Sequence, residues 1–234
     1  MMRLSVLSAF LALLVSSGAA FAQEQDRIAD AEIGALVGLL EGEFDSKPQM
    51  MEDLASGVPT EQRHYRINRS FLTATSEDIE GPIVVGTTIY AGQNWHFDQN
   101  EFLVWTFEKD TESGEVVAKP RRFVDQVKKL PFSRDMERLG PISSAELEDA
   151  IGGSACPIRW IRDGDSFLGK VRHCEVKSAV HKVILDWEWD YLLTREALFI
   201  SFAGKNAAGE ILDGTPVGAP YRLDRVNGHP DGNP

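Results

Sequence analysis

The chain has 234 residues, of which 43% are hydrophobic and 26% charged, and this composition excludes a collagen, a low-complexity disordered chain and a coiled coil. The 36 acidic residues outnumber the 24 basic ones, which gives a net charge of −12. Nucleic acid and anionic membrane surfaces attract proteins with a basic field, so neither is an expected partner.

The first 22 residues have the pattern of a cleavable secretory signal peptide. A short basic start precedes an apolar run at 4–15, and the small residues that follow end at Ala22. The run is too short for a permanent transmembrane anchor, and no other segment is long and apolar enough for one. The sequence therefore predicts export, to the periplasm or outside the cell. In an oxidising compartment we expect the two cysteines, Cys156 and Cys174, to form a disulfide.

The mature chain begins with helical patterns and continues with strands. Apolar residues at helical spacing predict an amphipathic helix over 26–41, followed by an irregular segment over 43–59 with a helical turn at 49–54. A second short helix is predicted after Ser143, because Ser143 and Glu146 have capping-box spacing and Leu147 and Ile151 form an apolar face. Period-two patterns predict strands at 63–72, 83–90, 94–97, 101–108, 115–117, 121–129, 158–162, 166–176, 180–189, 197–203 and 220–226.

About ten consecutive short strands with turn signals between them predict a mainly β fold. We expect one antiparallel sheet closed into a barrel, because closure removes the exposed edges of such a sheet. The barrel domain is predicted to span 23–226, and 227–234 is expected to be a flexible tail because it is polar and rich in Gly and Pro.

The aromatic residues of the predicted strands have two alternative interpretations. The five tryptophans all fall in predicted strands: Trp95, Trp105, Trp160, Trp187 and Trp189. They form either a filled aromatic core or the walls of a cavity for a flat apolar ligand. The strand 101–108 has apolar residues on both faces, so one face is expected to lie along a cavity or under the N-terminal helix.

Familiar catalytic motifs are absent from the sequence. It contains no nucleophile elbow, phosphate-binding loop, dinucleotide fingerprint or zinc-protease motif. The five histidines form no close ligand pair, so no metal site is predicted. Asp186 and Glu188 lie on one strand face, about 7 Å apart, which suits either acid–base work or a solvated outer face.

Several segments, taken together, resemble one protein family. The segment from Cys156 through Trp160 and Phe167 to Gly169, followed by Cys174, is similar to the C…W…(S/N)F-x-G…C pattern of the CpcT/CpeT family. The residues 36–49 resemble that family's opening helix and F-(D/S)-(S/N)-x-x-Q segment, 64–67 its next strand and 218–223 its closing strand. The resemblance covers most of 33–226.

The resemblance implies both a fold and a ligand. CpcT/CpeT proteins are known as phycobiliprotein chromophore lyases, so it implies a calycin- or lipocalin-like barrel that holds a bilin, an open-chain tetrapyrrole, and delivers it to a cysteine of an acceptor protein. The bilin is then the ligand or substrate, and no further cofactor is implied. The family's central strand carries a P-Y-R-x-R motif, whereas 101–105 retains an aromatic residue as Phe102 and has apolar residues in place of both arginines.

The resemblance also suggests site residues. The candidate catalytic residues are Asp186 and Glu188, whose carboxylates would meet the pyrrole nitrogens. Candidates for binding the propionates are Arg66, Arg159 and Arg162. The other candidate ligand-binding residues are aromatic: Tyr65, Phe102, Trp105, Trp160 and Trp187.

The sequence thus leaves more than one functional hypothesis. The first is an exported chromophore-lyase-like protein that assists attachment of a bilin to a protein cysteine. The second is a non-enzymatic periplasmic lipocalin-like carrier of a small hydrophobic ligand, which export and the missing arginines favour. A third is an exported structural or interaction domain without a small ligand.

Overall fold

Helices and strands follow one another along almost all of the described chain. The computed structural model describes residues 30–91, 97–129, 139–150, 156–178, 180–216 and 219–226, so the predicted signal peptide and tail lie outside the described residues. The first elements are helix α1 (30–40), strand β1 (Gly42–Asp45) and helix α2 (Lys47–Ala55). The others are β2 (Arg66–Ala74), β3 (Ile83–Ala91), β4 (Phe97–Lys109), β5 (Val116–Phe123), the short helix α3 (Gln126–Lys129), β6 (Leu147–Asp149), β7 (Ile158–Asp163), β8 (Ser166–Lys177), β9 (Ile184–Leu193), β10 (Ala197–Lys205), β11 (Ile211–Gly214) and β12 (Tyr221–Val226).

Ten of these strands form a closed antiparallel ring. Their order is β10-β12-β1-β2-β3-β4-β5-β7-β8-β9, and β9 pairs again with β10 from Leu193–Leu198 to Asp186–Lys205. Strand β6 pairs with β5 outside the ring, and β11 pairs with β10. The predicted fold, a mainly β antiparallel barrel of about ten strands with a helix before it, is therefore confirmed. In the part of the chain that is described, the helices are all too short or too polar to cross a lipid bilayer.

Several predicted element boundaries were wrong. The segment 43–59 contains strand β1 and the nine-residue helix α2, which has a proline in its first turn. The capping box at Ser143 and Glu146 is present, but it caps only the 3-10 turn Ser144–Glu146. The helix ends there because Leu147 continues into β6, whose backbone pairs with β5. Ile151 lies outside the described residues.

Apolar cores lie on both sides of the barrel wall. Helix α1 closes one end of the barrel, where its buried Leu36 and Leu40 join the interior core together with Phe71, Phe107 and Trp160. The outer core lies under the segment 139–147 and contains Phe102, Val104, Phe123, Leu139, Ile142 and Leu147. Strand β4 has two apolar faces because one lines the barrel interior and the other packs in this outer core.

Tryptophan rings inside the barrel lie over glycines of neighbouring strands. The pairs are Gly86–Trp105, Gly169–Trp160 and Gly204–Trp187. Trp160 is only 3% exposed and lies directly across the β7–β8 pairing from Gly169. A Cβ atom at Gly169 would be 2.7 Å from the Trp160 ring, closer than packed atoms approach. Glycine at this position therefore makes room for the indole ring.

The Trp160–Gly169 contact predicts a specific loss of stability. Gly169→Ala is expected to lower the free energy of unfolding by about 1–3 kcal/mol, because the added methyl group displaces a well-packed ring. The measurement is guanidinium denaturation with the disulfide intact. The matched control is Gly34→Ala in α1, where a Cβ atom meets nothing within 4 Å. That variant should gain up to about 1 kcal/mol from helix propensity. Equal effects of the two substitutions would contradict the prediction.

Candidate functional site

The barrel encloses two adjoining cavities, one above the other. The lower cavity, next to Leu40 of α1, has a volume of about 20 Å³, enough for about one water molecule. The upper cavity lies nearer the opposite end of the barrel and measures about 120 Å³. Side chains that line both cavities are Arg69, Phe71, Trp105, Ile158 and Tyr191. The interior is thus not completely filled by side chains, and its walls are largely apolar with aromatic rings in both cavities.

An arc of six aromatic rings borders the end of the barrel opposite α1. Its members, each in contact with the next, are Tyr90, Tyr65, Tyr221, Phe202, Trp187 and Trp189. The two tryptophans are stacked with 5.2 Å between ring centroids. The first and last members, Tyr90 and Trp189, also line the upper cavity. This aromatic arc therefore extends the cavity lining to the mouth of the barrel.

Arg69 provides a positive charge inside the barrel. It lies on the inward face of β2 between the buried Ile67 and Phe71. Among the described residues that line the two cavities, Arg69 alone carries a formal charge. Its register partner Thr88 and a largely apolar and aromatic lining surround it. A guanidinium group in such a lining suits a planar anion such as a carboxylate.

Two tyrosines of the aromatic arc are neutral hydrogen-bonding groups. Burial raises the pKa of the Tyr65 hydroxyl and that of the Tyr221 hydroxyl. Both groups are therefore protonated at neutral pH and can donate as well as accept a hydrogen bond. The two hydroxyls, which interact with each other, thus add polar atoms to the aromatic arc.

Four of the aromatic residues predicted to bind ligand lie inside the barrel. Trp105 and Trp160 line the cavities, and Tyr65 and Trp187 belong to the aromatic arc. Their ligand-binding role stays a prediction. Trp95 lies outside the described residues.

Arg66 and Phe102 lie on the opposite side of the wall from the cavities. The Arg66 Nε donates to Asp45 Oδ1 at 3.0 Å, which joins β2 to β1. Phe102 stacks on Phe123 in the outer core, with 5.1 Å between ring centroids. The reason is strand alternation: the chain neighbours of these residues, Ile67 and Leu103, point inward.

The other predicted arginines are also outside the cavities. Arg159 is exposed on β7 and donates to Asp110 at 2.8 Å and to Glu115 at 3.0 Å. Arg162 is exposed near the β7–β8 turn and donates to the carbonyl oxygen of Gly164 at 3.0 Å. The cations expected to meet the propionates therefore make local surface contacts instead.

The two candidate catalytic carboxylates lie on the outer face of β9. The Lys205 Nζ donates to Glu188 at 2.6 Å, and this bond lowers the pKa of Glu188. The Asp186 Oδ2 lies 3.4 Å from His173 Nδ1. Both alternate with Trp187 and Trp189, whose side chains pack on the interior core. The strand itself therefore separates these carboxylates from the cavities.

The two cysteines form the predicted disulfide. Cys156 and Cys174 have Cα atoms 5.2 Å apart, and both residues are buried. Cys156 lines the upper cavity, while Cys174 lies opposite Trp187 across the β8–β9 pairing. The disulfide is therefore part of the cavity wall.

Arg69, Tyr90 and Tyr191 are cavity residues that the sequence analysis did not identify. Arg69 could have been identified from the alternation of side chains along the strand. One face of that strand carries Tyr65, Ile67, Arg69 and Phe71. That face is apolar except for Arg69, so it was the inward one.

Comparisons with known proteins support the fold and no more. No protein-family profile matches the chain, and no curated protein matches it. Among solved structures, the CRL protein of Arabidopsis aligns with 84% of this chain and 98% of its own, at 12% identity and a TM-score of 0.57. The T-type phycobiliprotein lyase CpeT from Prochlorococcus phage P-HM1 aligns over 83% and 97%, at 11% identity and a TM-score of 0.44. The first likeness shows a shared fold alone, and the second is too low to carry an argument.

The Arg66–Asp45 pair predicts the response of the barrel to acid. Burial alone would raise the pKa of Asp45, but hydrogen bonds from Arg66 and from the Lys47 N–H outweigh it and lower the pKa below 3.8. The ionised carboxylate thus adds stability that is fully present above pH 3.8 and is lost as the pH falls through the lowered value. Arg66→Met should cost about 1.5–3 kcal/mol at neutral pH and move acid unfolding to higher pH.

Tryptophan fluorescence during acid titration measures this shift. The control is Arg162→Met, which removes an exposed arginine that contacts a turn carbonyl and the Phe167 ring but, among the described residues, no carboxylate. If both variants unfold at the same pH as the parent protein, Arg66 does not hold Asp45 ionised.

Proposed function

We propose that the protein is an exported, lipocalin-like carrier of a flat, apolar small molecule that bears a carboxylate. The observation that carries this proposal is the position of Arg69, a cation among aromatic side chains in a cavity that opens onto the aromatic arc. Ligand pockets are typically apolar with a few polar groups that orient the ligand.

An open-chain tetrapyrrole is the ligand that this lining suits best. Its conjugated rings would stack on Trp105, Tyr90 and Trp189, and one propionate would pair with Arg69. The upper cavity has room for part of such a molecule, and the remainder would extend along the aromatic arc to the mouth. The resemblance of several segments to the CpcT/CpeT family independently suggests a bilin.

A second candidate function is chromophore attachment to a cysteine of an acceptor protein. The sequence resemblance favours it, because CpcT/CpeT proteins are chromophore lyases. Attachment needs an acid–base group near the bilin, and Asp186 and Glu188 lie on the far side of the barrel wall. The geometry therefore supports binding and transport more directly than catalysis.

Export predicts a shorter mature protein. When the chain is expressed in a bacterium with its own N-terminus, the periplasmic protein is expected to begin at Gln23 after removal of residues 1–22. Intact-mass measurement tests this, and Ala22→Tyr should block the cleavage because the site requires a small residue. Alkylation should label Cys156 and Cys174 only after reduction. A cytoplasmic protein that retains residues 1–22 would contradict export.

Ligand binding is tested by titrating the purified protein with biliverdin and following tryptophan quenching. Arg69→Met is expected to weaken binding about 10–100-fold, because it removes a charge-assisted hydrogen bond. The effect should nearly vanish with biliverdin dimethyl ester, which lacks the charged carboxylates. The matched control is Arg122→Met, since Arg122 is exposed and bonds Glu148 on the outer surface. Failure of biliverdin, haem and fatty acids to bind would refute the carrier function.

The complex of this protein with a bilin also distinguishes the two candidate functions. A carrier releases its bilin intact on denaturation, with or without an acceptor phycobiliprotein β subunit. A thioether-linked bilin on the acceptor, formed only when this protein is present, would instead establish the lyase.

A further inference from the structure

The outer surface of the barrel carries a continuous apolar row on β7, β8, β9 and β10. The row consists of Ile161, Leu168, Leu192 and Phe199, which are register partners from one strand to the next. Their chain neighbours point into the barrel, so these four side chains point outward. Ile161 is 49% exposed and Leu168 is 37% exposed. Single exposed apolar residues are common, but a row across four strands is typical of an interface.

A polar row runs beside the apolar row, one step closer to the barrel mouth. It consists of three charged residues and a serine, Arg159, Lys170, Asp190 and Ser201, which are also register partners. Between the rows the surface forms a groove of about 270 Å³, which runs across β8, β9 and β10 to Pro220. Leu168, Leu192 and Phe199 of the apolar row lie along one edge of this groove, and Lys170, Asp190 and Ser201 lie along the other.

We infer that this β7–β10 face joins two copies of the chain in a two-fold symmetric dimer. Consider a two-fold axis parallel to the strands, midway between β8 and β9. It places Leu168 against Leu192 of the second copy, and Ile161 against that copy's Phe199 beside the groove. The same axis places Lys170 against Asp190 of the second copy.

The charges and the apolar row both favour a second copy as the occupant. An isologous interface must be self-complementary, because each contact occurs twice. Here the two-fold axis pairs apolar with apolar and positive with negative side chains. Within the described chain Lys170 forms no ion pair, whereas Asp190 bonds Arg172 and remains more than half exposed. The two Lys170–Asp190 contacts between copies therefore add attraction and fix the register.

Charge reversal with mixing tests this arrangement. Lys170→Asp places two acidic groups against each other across the axis, and Asp190→Lys places two basic ones. Sedimentation velocity should show that each variant alone dimerises at least about tenfold more weakly than the parent protein. An equimolar mixture of the two variants should restore dimerisation, because a heterodimer recovers opposite charges at both contacts.

Controls separate this effect from damage to the fold. Glu77→Lys makes the same change of charge as Asp190→Lys, but on the exposed connection between β2 and β3, opposite β8 and β9 in the ring. It should leave dimerisation unchanged. Thermal unfolding of all variants should stay close to that of the parent protein. A parent protein that remains monomeric at about 100 μM, a concentration that would populate any dimer tighter than that Kd, would overturn the inference. So would a dimer that neither variant weakens, or a mixture that does not recover.

Discussion

The number of strands in the ring is the constraint from which the interior of this protein follows. A barrel of about eight strands is narrow enough for its own side chains to fill. A ring of ten strands encloses a wider interior, which the side chains of this protein fill at one end and leave partly empty at the other. Helix α1 and large side chains close one end, where the remaining cavity has room for about one water molecule. Tryptophans placed over glycines occupy much of the middle, and the space left over opens toward the aromatic arc.

Strand periodicity was sufficient to predict the barrel but not the side of the wall on which each residue lies. The closed sheet follows from about ten alternating segments and the need to avoid free edges. The side chains of neighbouring residues in a strand point to opposite faces. Arg66 was identified instead of Arg69 because the resemblance of 64–67 named neighbours, Tyr65 and Arg66, without assigning them to faces. The sequence of strand β4 does not indicate which face points inward, because both of its faces are apolar and each packs in its own core. Strand β1 has only four residues and is too short to show a period.

Charges are distributed differently on the two sides of the wall. The exterior is acidic overall, and the carboxylates of β9 are held there by cations such as Lys205. The interior combines one described cation with aromatic rings. Salt screens the outer charges over about 8–10 Å, whereas a cation in a cavity of low polarity acts strongly on an anion that enters. Selectivity for an anion is therefore compatible with a net negative chain.

The disulfide in the cavity wall has a consequence for the order of events in the cell. It links two residues 18 positions apart and restricts the wall next to Trp187 and the upper cavity. Cytosolic thiol systems keep cysteines reduced, so a chain that is exported acquires this link only after translocation. Under the proposed export, the cavity would then reach its final shape outside the cytoplasm. A carrier of the kind proposed would therefore collect its cargo there instead of bringing it from the cell interior.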